Sequence, residues 1–356
     1  MKITKADITA FRNLKNVSFI PGPGINVICG ENGQGKTNLI EAMWLLNGSR
    51  SFLNSKESEL IPFDDNFARC DFSFYAFGRE QEMSYTLGKK KEIVLNGVKK
   101  QNFREAAGAF ASVIFSPAHL SCIKGASSER RNMLDIVIGE LKPRYLLLLS
   151  QYKRILQQRN SLLKDVREGY FPSQLLEEWD MNLAKASTLI SKTRKTYCDR
   201  LFPKAQEFYQ GISSNKEELS FKFEVSGSED FSEEEFLRIT ESEREKDLAC
   251  GFTNTGSHRD DLRLFINGRD LSSFGSQGQI RSSVLSLKLA EADLIKELLN
   301  EQPVIFLDDV LSELDENRQS FLLKSLKERQ IFITCCDFKQ IEGAEKVIHI
   351  DNGQVV

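Results

Sequence analysis

The 356-residue chain is 40% hydrophobic and 28% charged, with a formal net charge of −3. That balance belongs to a folded globular protein and excludes a disordered or fibrous one. The mild acidity also excludes a globally basic surface, so any contact with nucleic acid must come from local patches. The opening residues Met1-Lys2-Ile3-Thr4-Lys5-Ala6-Asp7 carry no apolar signal segment, and no apolar run is long enough to span a bilayer. The seven cysteines are scattered, with Cys335 and Cys336 adjacent, which is neither a disulfide framework nor a zinc spacing. A reducing, cytoplasmic setting with no membrane partner is the expectation.

Taken in chain order, Phe19 to Cys29 alternates as sheet, and Gly24 to Cys29 reads as a short buried strand. It leads into Gly30-Glu31-Asn32-Gly33-Gln34-Gly35-Lys36-Thr37, which fills every fixed position of G-x-x-x-x-G-K-[ST]. Asn38 to Leu46 then reads as a helix. Strand, glycine loop and helix N-terminus together form a cradle for a triphosphate, because converging backbone N–H groups and the helix dipole both favour anions. Lys36 is expected to reach the β- and γ-phosphates of ATP, and Thr37 to ligate Mg²⁺.

Ala68 to Leu95 continues as sheet, with Asn96-Gly97 as a hairpin turn flanked by Lys89-Lys90-Lys91 and Lys99-Lys100. Arg50, Lys56 and Arg104 add positive charge nearby. From about Ala126 to Ile212 the spacing becomes helical, with Lys142-Pro143 separating two blocks; Lys153, Arg154, Arg159, Lys192, Arg194 and Lys195 decorate these helices. These runs are the candidate local charges for DNA, and a solvated face is the plainer reading of each. Leu219, Phe221, Phe223 and Val225 alternate as a strand, and Ser228-Glu229-Asp230 opens an acidic stretch that runs to Glu245.

Two further motifs follow. Ser276-Gln277-Gly278-Gln279 precedes an apolar helix over Val284 to Leu299. Taken alone it reads as a helix cap. Pro303 to Leu307 is an apolar strand ending in Asp308-Asp309, and carboxylates at the C-terminal end of a parallel strand stand where α/β sheets bind ligands. Asp308 is placed to hold Mg²⁺, directly or through water, and Asp309 to polarise an attacking water. Leu311-Ser312-Glu313-Leu314-Asp315 follows, and Ile331 to Thr334 is one more buried strand.

In order and spacing, these motifs resemble the ABC-type ATPases. There Ser276, Gly278 and Gln279 stand where the signature sequence lies, and Leu311 to Asp315 resembles the D-loop. Phe11-Arg12-Asn13-Leu14, Phe115-Ser116-Pro117-Ala118-His119-Leu120, Lys124-Gly125, Arg130 to Asp135 and Gly256-Ser257-His258-Arg259-Asp260-Asp261-Leu262 narrow the match. On these residues the chain resembles the RecF family, relatives of the ATPase heads of structural-maintenance-of-chromosomes proteins. It departs from that family at Ser257, where proline is usual, and at Ala118, where an acid is usual.

The resemblance implies an α/β fold: a split ABC-type ATPase lobe (residues 1–125 and 251–356) around an inserted helical lobe (126–250). The insertion is too short, and too poor in heptads, for a long coiled coil. It further implies Arg12 and Asn13 near nucleotide, and a weak ATPase whose ATP-bound homodimer closes on DNA at gaps and junctions. The signature of one subunit would meet the glycine loop of the other. RecR and RecO would be partners in loading RecA. Thr334 occupies the usual place of the γ-phosphate-sensing histidine, with His258 as a second candidate sensor. Rival readings are an ABC transporter ATPase subunit, which the Gly256–Leu262 block and the split layout disfavour, and the ATPase of a DNA-end nuclease, for which no second metal-binding domain is visible.

Overall fold

The computed structural model describes residues 1–48, 51–53, 55–226, 232–336, 341 and 343–356. Arg50 and Ser228-Glu229-Asp230 of the charge runs lie outside the described residues. Two compact units account for the chain, one of residues 1–121, 204–216 and 281–356, the other of 122–203 and 217–280.

In the first unit a six-stranded sheet carries the glycine loop and the acid pair. Its order is Gln354–Val355, Ala344–Asp351, Ile25–Cys29, Ile331–Cys335, Val304–Leu307, Ser112–Phe115. All neighbours are parallel except the first pair. Parallel strands are covered on both faces, which is why these sequences read as nearly unbroken apolar runs. Every residue of Val304–Leu307 is fully buried. The polar exception, Asn26, is buried and spends its side chain on backbone. Its amide nitrogen donates to the carbonyls of Gly22 and Gly24, both at 3.0 Å, and its Oδ1 accepts from Gly22 N–H at 2.7 Å. That satisfies an otherwise costly buried amide and pins the turn entering the strand.

Register brings the strand ends together. Ile331 lies opposite both Ile25 and Ile305, so Cys29, Leu307 and Cys335 finish at the same edge. The glycine loop, the acid pair and the residues after Cys335 therefore leave the sheet side by side.

The second sheet of this unit is antiparallel, in the order Leu14–Phe19, Lys2–Phe11, Phe67–Ala76, Arg79–Gly88, Glu92–Leu95, Val98–Lys100. Its strands alternate buried and exposed residues, as a sheet with one wet face must. Asn96 and Gly97 both take positive φ, 51° and 76°, which a two-residue hairpin of this twist requires. Acids answer part of the local basic run: Lys91 pairs with Glu57 at 2.5 Å and Lys99 with Glu92 at 3.0 Å.

The second unit is mainly helical. Ser127–Leu141 ends before Pro143, which starts the helix Pro143–Arg167. Proline is tolerated in a first turn because its missing N–H would have no intrahelical partner there. Leu176–Ser213, Glu233–Ser242 and Arg244–Cys250 follow. The strand Asp261–Ile266 pairs with Leu219–Glu224 and with Arg269–Asp270. This pairing ties residues 251–280 to the second unit, whereas the sequence division grouped them with the final ATPase stretch. Two buried arginines organise the interior. Arg159 donates to Asp180, Asp247 and Thr253, each at 2.7 Å. Arg194 holds Asp135 at 2.8 Å and Asp260 at 3.0 Å. These residues belonged to the sequence's basic decoration, but each answers two carboxylates inside the unit.

Candidate active site

The glycine loop is shaped by close approach. Gly30 has φ 154°, and a Cβ there would stand 2.3 Å from the Ile350 carbonyl. Gly35 has φ 114°, and a Cβ would meet Leu14 and Asn13 within 3 Å. Gly33, at φ 82°, has open space around it and needs glycine for its backbone alone. The helix Lys36–Trp44 starts directly from Gly35 with no side-chain cap, so its first N–H groups are left for an anion.

The loop's side chains are held from several directions. Asn13 donates to the Gly33 carbonyl at 2.8 Å and accepts from Asn38 at 2.7 Å. Gln34 accepts from Asn352 N–H at 2.6 Å. Lys36 Nζ folds back onto the carbonyls of Gly30 and Glu31, at 2.7 and 2.9 Å. Glu31 and Asn32 are exposed. Arg12 has φ 51° and donates to the buried carboxylate of Glu41, including Nη2 to Oε1 at 3.0 Å. It also reaches Ser55 at 2.5 Å. Sequence reasoning missed Glu41; a lone acid inside an apolar helix was the only available sign of it.

The acid pair faces this loop. Thr37 Oγ1 donates to Asp308 Oδ1 at 2.9 Å, and Thr334 Oγ1 donates to the same oxygen at 3.0 Å. Burial pushes the Asp308 carboxyl above its usual range, against the two hydroxyl donors that favour the charged form. Asp309 sits at φ 53°, a conformation that strains a non-glycine residue. Its N–H donates to Thr334 Oγ1 at 2.8 Å, and its Oδ1 accepts from Ser312 at 3.0 Å. Thr334 thus touches both acids.

A hydroxyl and a carboxylate side by side are hard oxygen donors. A buried carboxylate held above its usual range also favours a neighbouring cation. Thr37 and Asp308 would offer Mg²⁺ two oxygens of the hard type it takes. Among the described residues no cluster of three His, Cys, Asp or Glu side chains could hold a metal by itself.

Ser276, Gly278 and Gln279 lie in the second unit, at the start of the helix Gln277–Leu299. Ser276 Oγ accepts from Gln279 N–H at 3.2 Å, while Ser276 N–H donates to Gln279 Oε1 at 2.9 Å. This reciprocal pair is a capping box. Glu217 accepts from the Gln279 amide nitrogen at 2.7 Å, which fixes the amide's orientation. The serine hydroxyl acts as an acceptor here, so its proton remains available to an incoming phosphate. His258 is fully engaged within its own unit. Its Nδ1 lies 2.6 Å from Tyr152 Oη and its Nε2 3.2 Å from the Thr253 carbonyl.

Comparison with known proteins spans the whole chain. The family model described as RecF/RecN/SMC N terminal domain matches residues 2–355. The DNA replication and repair protein RecF of Ruminiclostridium cellulolyticum is 38% identical over 91% of this chain and 90% of its own. That of Clostridium acetobutylicum is 37% identical over 100% and 99%. A solved structure of the recombination mediator protein RecF-ATPrS in the RecFOR pathway superposes with a TM-score of 0.93 at 36% identity, covering 99% of this chain and 97% of the other. An Smc head domain from Pyrococcus furiosus, at 16% identity and a TM-score of 0.57 over 100% and 96%, shares the fold. No described helix is long and apolar enough to cross a membrane.

Proposed function

The chain belongs to the RecF family of DNA replication and repair proteins, and from that premise we propose that it is an ATP-operated clamp on DNA. The observation that carries this reading is the contact of Thr37 with Asp308, which joins the glycine loop to the acid pair. Lys36 and the loop N–H groups bind the β- and γ-phosphates, with Arg12 and Asn13 shaping the loop's edge. Mg²⁺, bound by Thr37 and Asp308, would neutralise charge on the phosphate oxygens. Asp309 accepts a proton from a water that attacks the γ-phosphorus. The bond to the β–γ bridging oxygen breaks, leaving ADP and phosphate. Thr334, hydrogen-bonded to both acids, senses whether the γ-phosphate is present.

Ser276, Gly278 and Gln279 complete the site in trans. The Ser276 hydroxyl and the start of its helix offer donors to the γ-phosphate held by a partner copy. Two ATP molecules would then lie in a two-fold interface, and ATP favours the dimer because it contacts both halves. The closed dimer binds duplex DNA at gaps and junctions, with RecR and RecO as partners in loading RecA, and hydrolysis opens it. Solution mass with and without ATP-Mg²⁺, for wild type and Ser276→Arg, tests the core of this. A dimer should appear only with ATP and only in wild type. A dimer surviving in Ser276→Arg overturns the trans site.

A further inference from the structure

Beside the nucleotide site the chain carries thiols that the ATPase chemistry does not use. The strand Ile331–Cys335 ends in Cys335, which lies in register with Cys29 at the mouth of the glycine loop. Cys336 follows, exposed. Its sulfur stands 3.8 Å from Lys36 Nζ and donates to Asn32 Oδ1 at 3.4 Å. The thiol therefore stands beside the lysine that the proposed function assigns to the β- and γ-phosphates. Cys29, Cys70 and Cys198 are buried, and burial pushes the thiols of Cys70 and Cys198 up, away from the reactive thiolate. Cys250 is exposed but lies in the second unit.

We propose that Cys336 and Cys335 form a peroxide-sensitive thiol pair that closes the nucleotide site when oxidised. Cys336 sulfur attacks a peroxide oxygen. The O–O bond breaks, one oxygen stays on sulfur as sulfenic acid, and the other leaves as water. The Cys335 thiol then attacks that sulfur, forming the disulfide and releasing a second water, so two thiols and one hydrogen peroxide give one disulfide and two waters. Neighbouring Cα atoms are only about 3.8 Å apart, and a disulfide needs roughly 4.4–6.8 Å in unstrained geometry. In an extended strand, adjacent side chains also point to opposite faces. The bridge therefore forces the strand end to turn. Thr334 is one residue away, and its hydrogen bonds to Asp308 and to Asp309 N–H are disturbed with it. The sulfur contact to Lys36 is lost or replaced at the place where the phosphates must sit.

This inference rests on the ATP-binding reading above, and the experiment separates the two. Full-length protein is treated with hydrogen peroxide, with and without bound ATP. Oxidation is mapped by mass spectrometry after N-ethylmaleimide blocking, and binding is measured with a fluorescent ATP analogue. Each variant is compared with its own untreated value. Wild type should show a Cys335–Cys336 bridge, on the order of ten- to hundredfold weaker nucleotide binding (the loss of a charge-assisted contact), and recovery with reductant. ATP bound beforehand should protect it. Cys336→Ser should keep its untreated affinity after peroxide, and Cys250→Ser should lose affinity as wild type does. Untreated wild type that binds no ATP overturns the reading beneath. Cys336 that stays reduced, or a bridge that leaves affinity unchanged, overturns the thiol switch alone.

Discussion

Thr37 donates its hydroxyl proton to Asp308 Oδ1 at 2.9 Å across 271 residues of chain. Thr334 Oγ1 donates to the same oxygen at 3.0 Å, so one carboxylate oxygen gathers hydroxyls from two segments. Asp308→Ala removes an acceptor shared by both threonines. We expect Mg²⁺-dependent phosphate release to fall by at least about 10²-fold, as when a group stabilising transition-state charge is lost. Binding of ATP in EDTA should survive. Hydrolysis at the wild-type rate would overturn the proposed role of Asp308 in holding Mg²⁺.

That relationship was legible from sequence because each half is a local motif. A glycine loop and an apolar strand ending in acids both announce themselves by residue type and spacing. What joined them was register, Ile331 opposite both Ile25 and Ile305, and register is a property of distant strands. The role of Glu41 was hidden for a related reason. Its role depends on Arg12 and Ser51 arriving from other segments. Arg159 and Arg194 looked like surface charge because helical spacing alone cannot say which face meets Asp180, Asp247, Asp135 or Asp260. The grouping of residues 251–280 likewise depended on Asp261–Ile266 pairing with Leu219–Glu224, a contact between strands far apart in the chain.

Asp309 is held in a strained conformation, with Ser312 on its carboxylate and Thr334 on its N–H. Asp309→Asn keeps this geometry but cannot take a proton from water. The variant should bind ATP and dimerise, yet release phosphate on the order of 10²–10⁴ times more slowly. Phosphate release and solution mass, measured on the same sample, check both halves. Normal turnover would show that another group polarises the water.

The Arg159 network bears on stability rather than chemistry. Arg159, Asp180 and Asp247 are all fully buried, and Arg159 answers both acids. Arg159→Ala leaves two buried carboxylates, with Arg244 the remaining cation on Asp180. Breaking such a pair from one side costs about 3–5 kcal/mol, because charge is left without compensation. Urea denaturation followed by far-UV circular dichroism should show that loss. A change below about 1 kcal/mol would mean that the Arg159 network contributes little to stability.

His258 gives the chain an acid-sensitive point. Its pKa is lowered to about 4, first by burial, with Arg259 and Arg131 adding repulsion against the backbone carbonyl of Thr253 and the charge of Asp247. The neutral ring suits its partners: Nε2–H donates to the Thr253 carbonyl while Nδ1 accepts from Tyr152. An unfolded histidine takes its proton near pH 6.5. Between about 6.5 and 4 the unfolded chain therefore binds more protons at this position than the folded one, so stability falls as pH falls through that window. Above about 6.5 the contribution is fully present; by pH 4 up to roughly 3 kcal/mol is gone, at about 1.4 kcal/mol per pKa unit. His258→Gln can still donate to Thr253 but does not titrate. Its stability should be lower than wild type at pH 7.5, and the gap should narrow steadily towards pH 4. A gap that stays constant across this range would mean that His258 is not the titrating group.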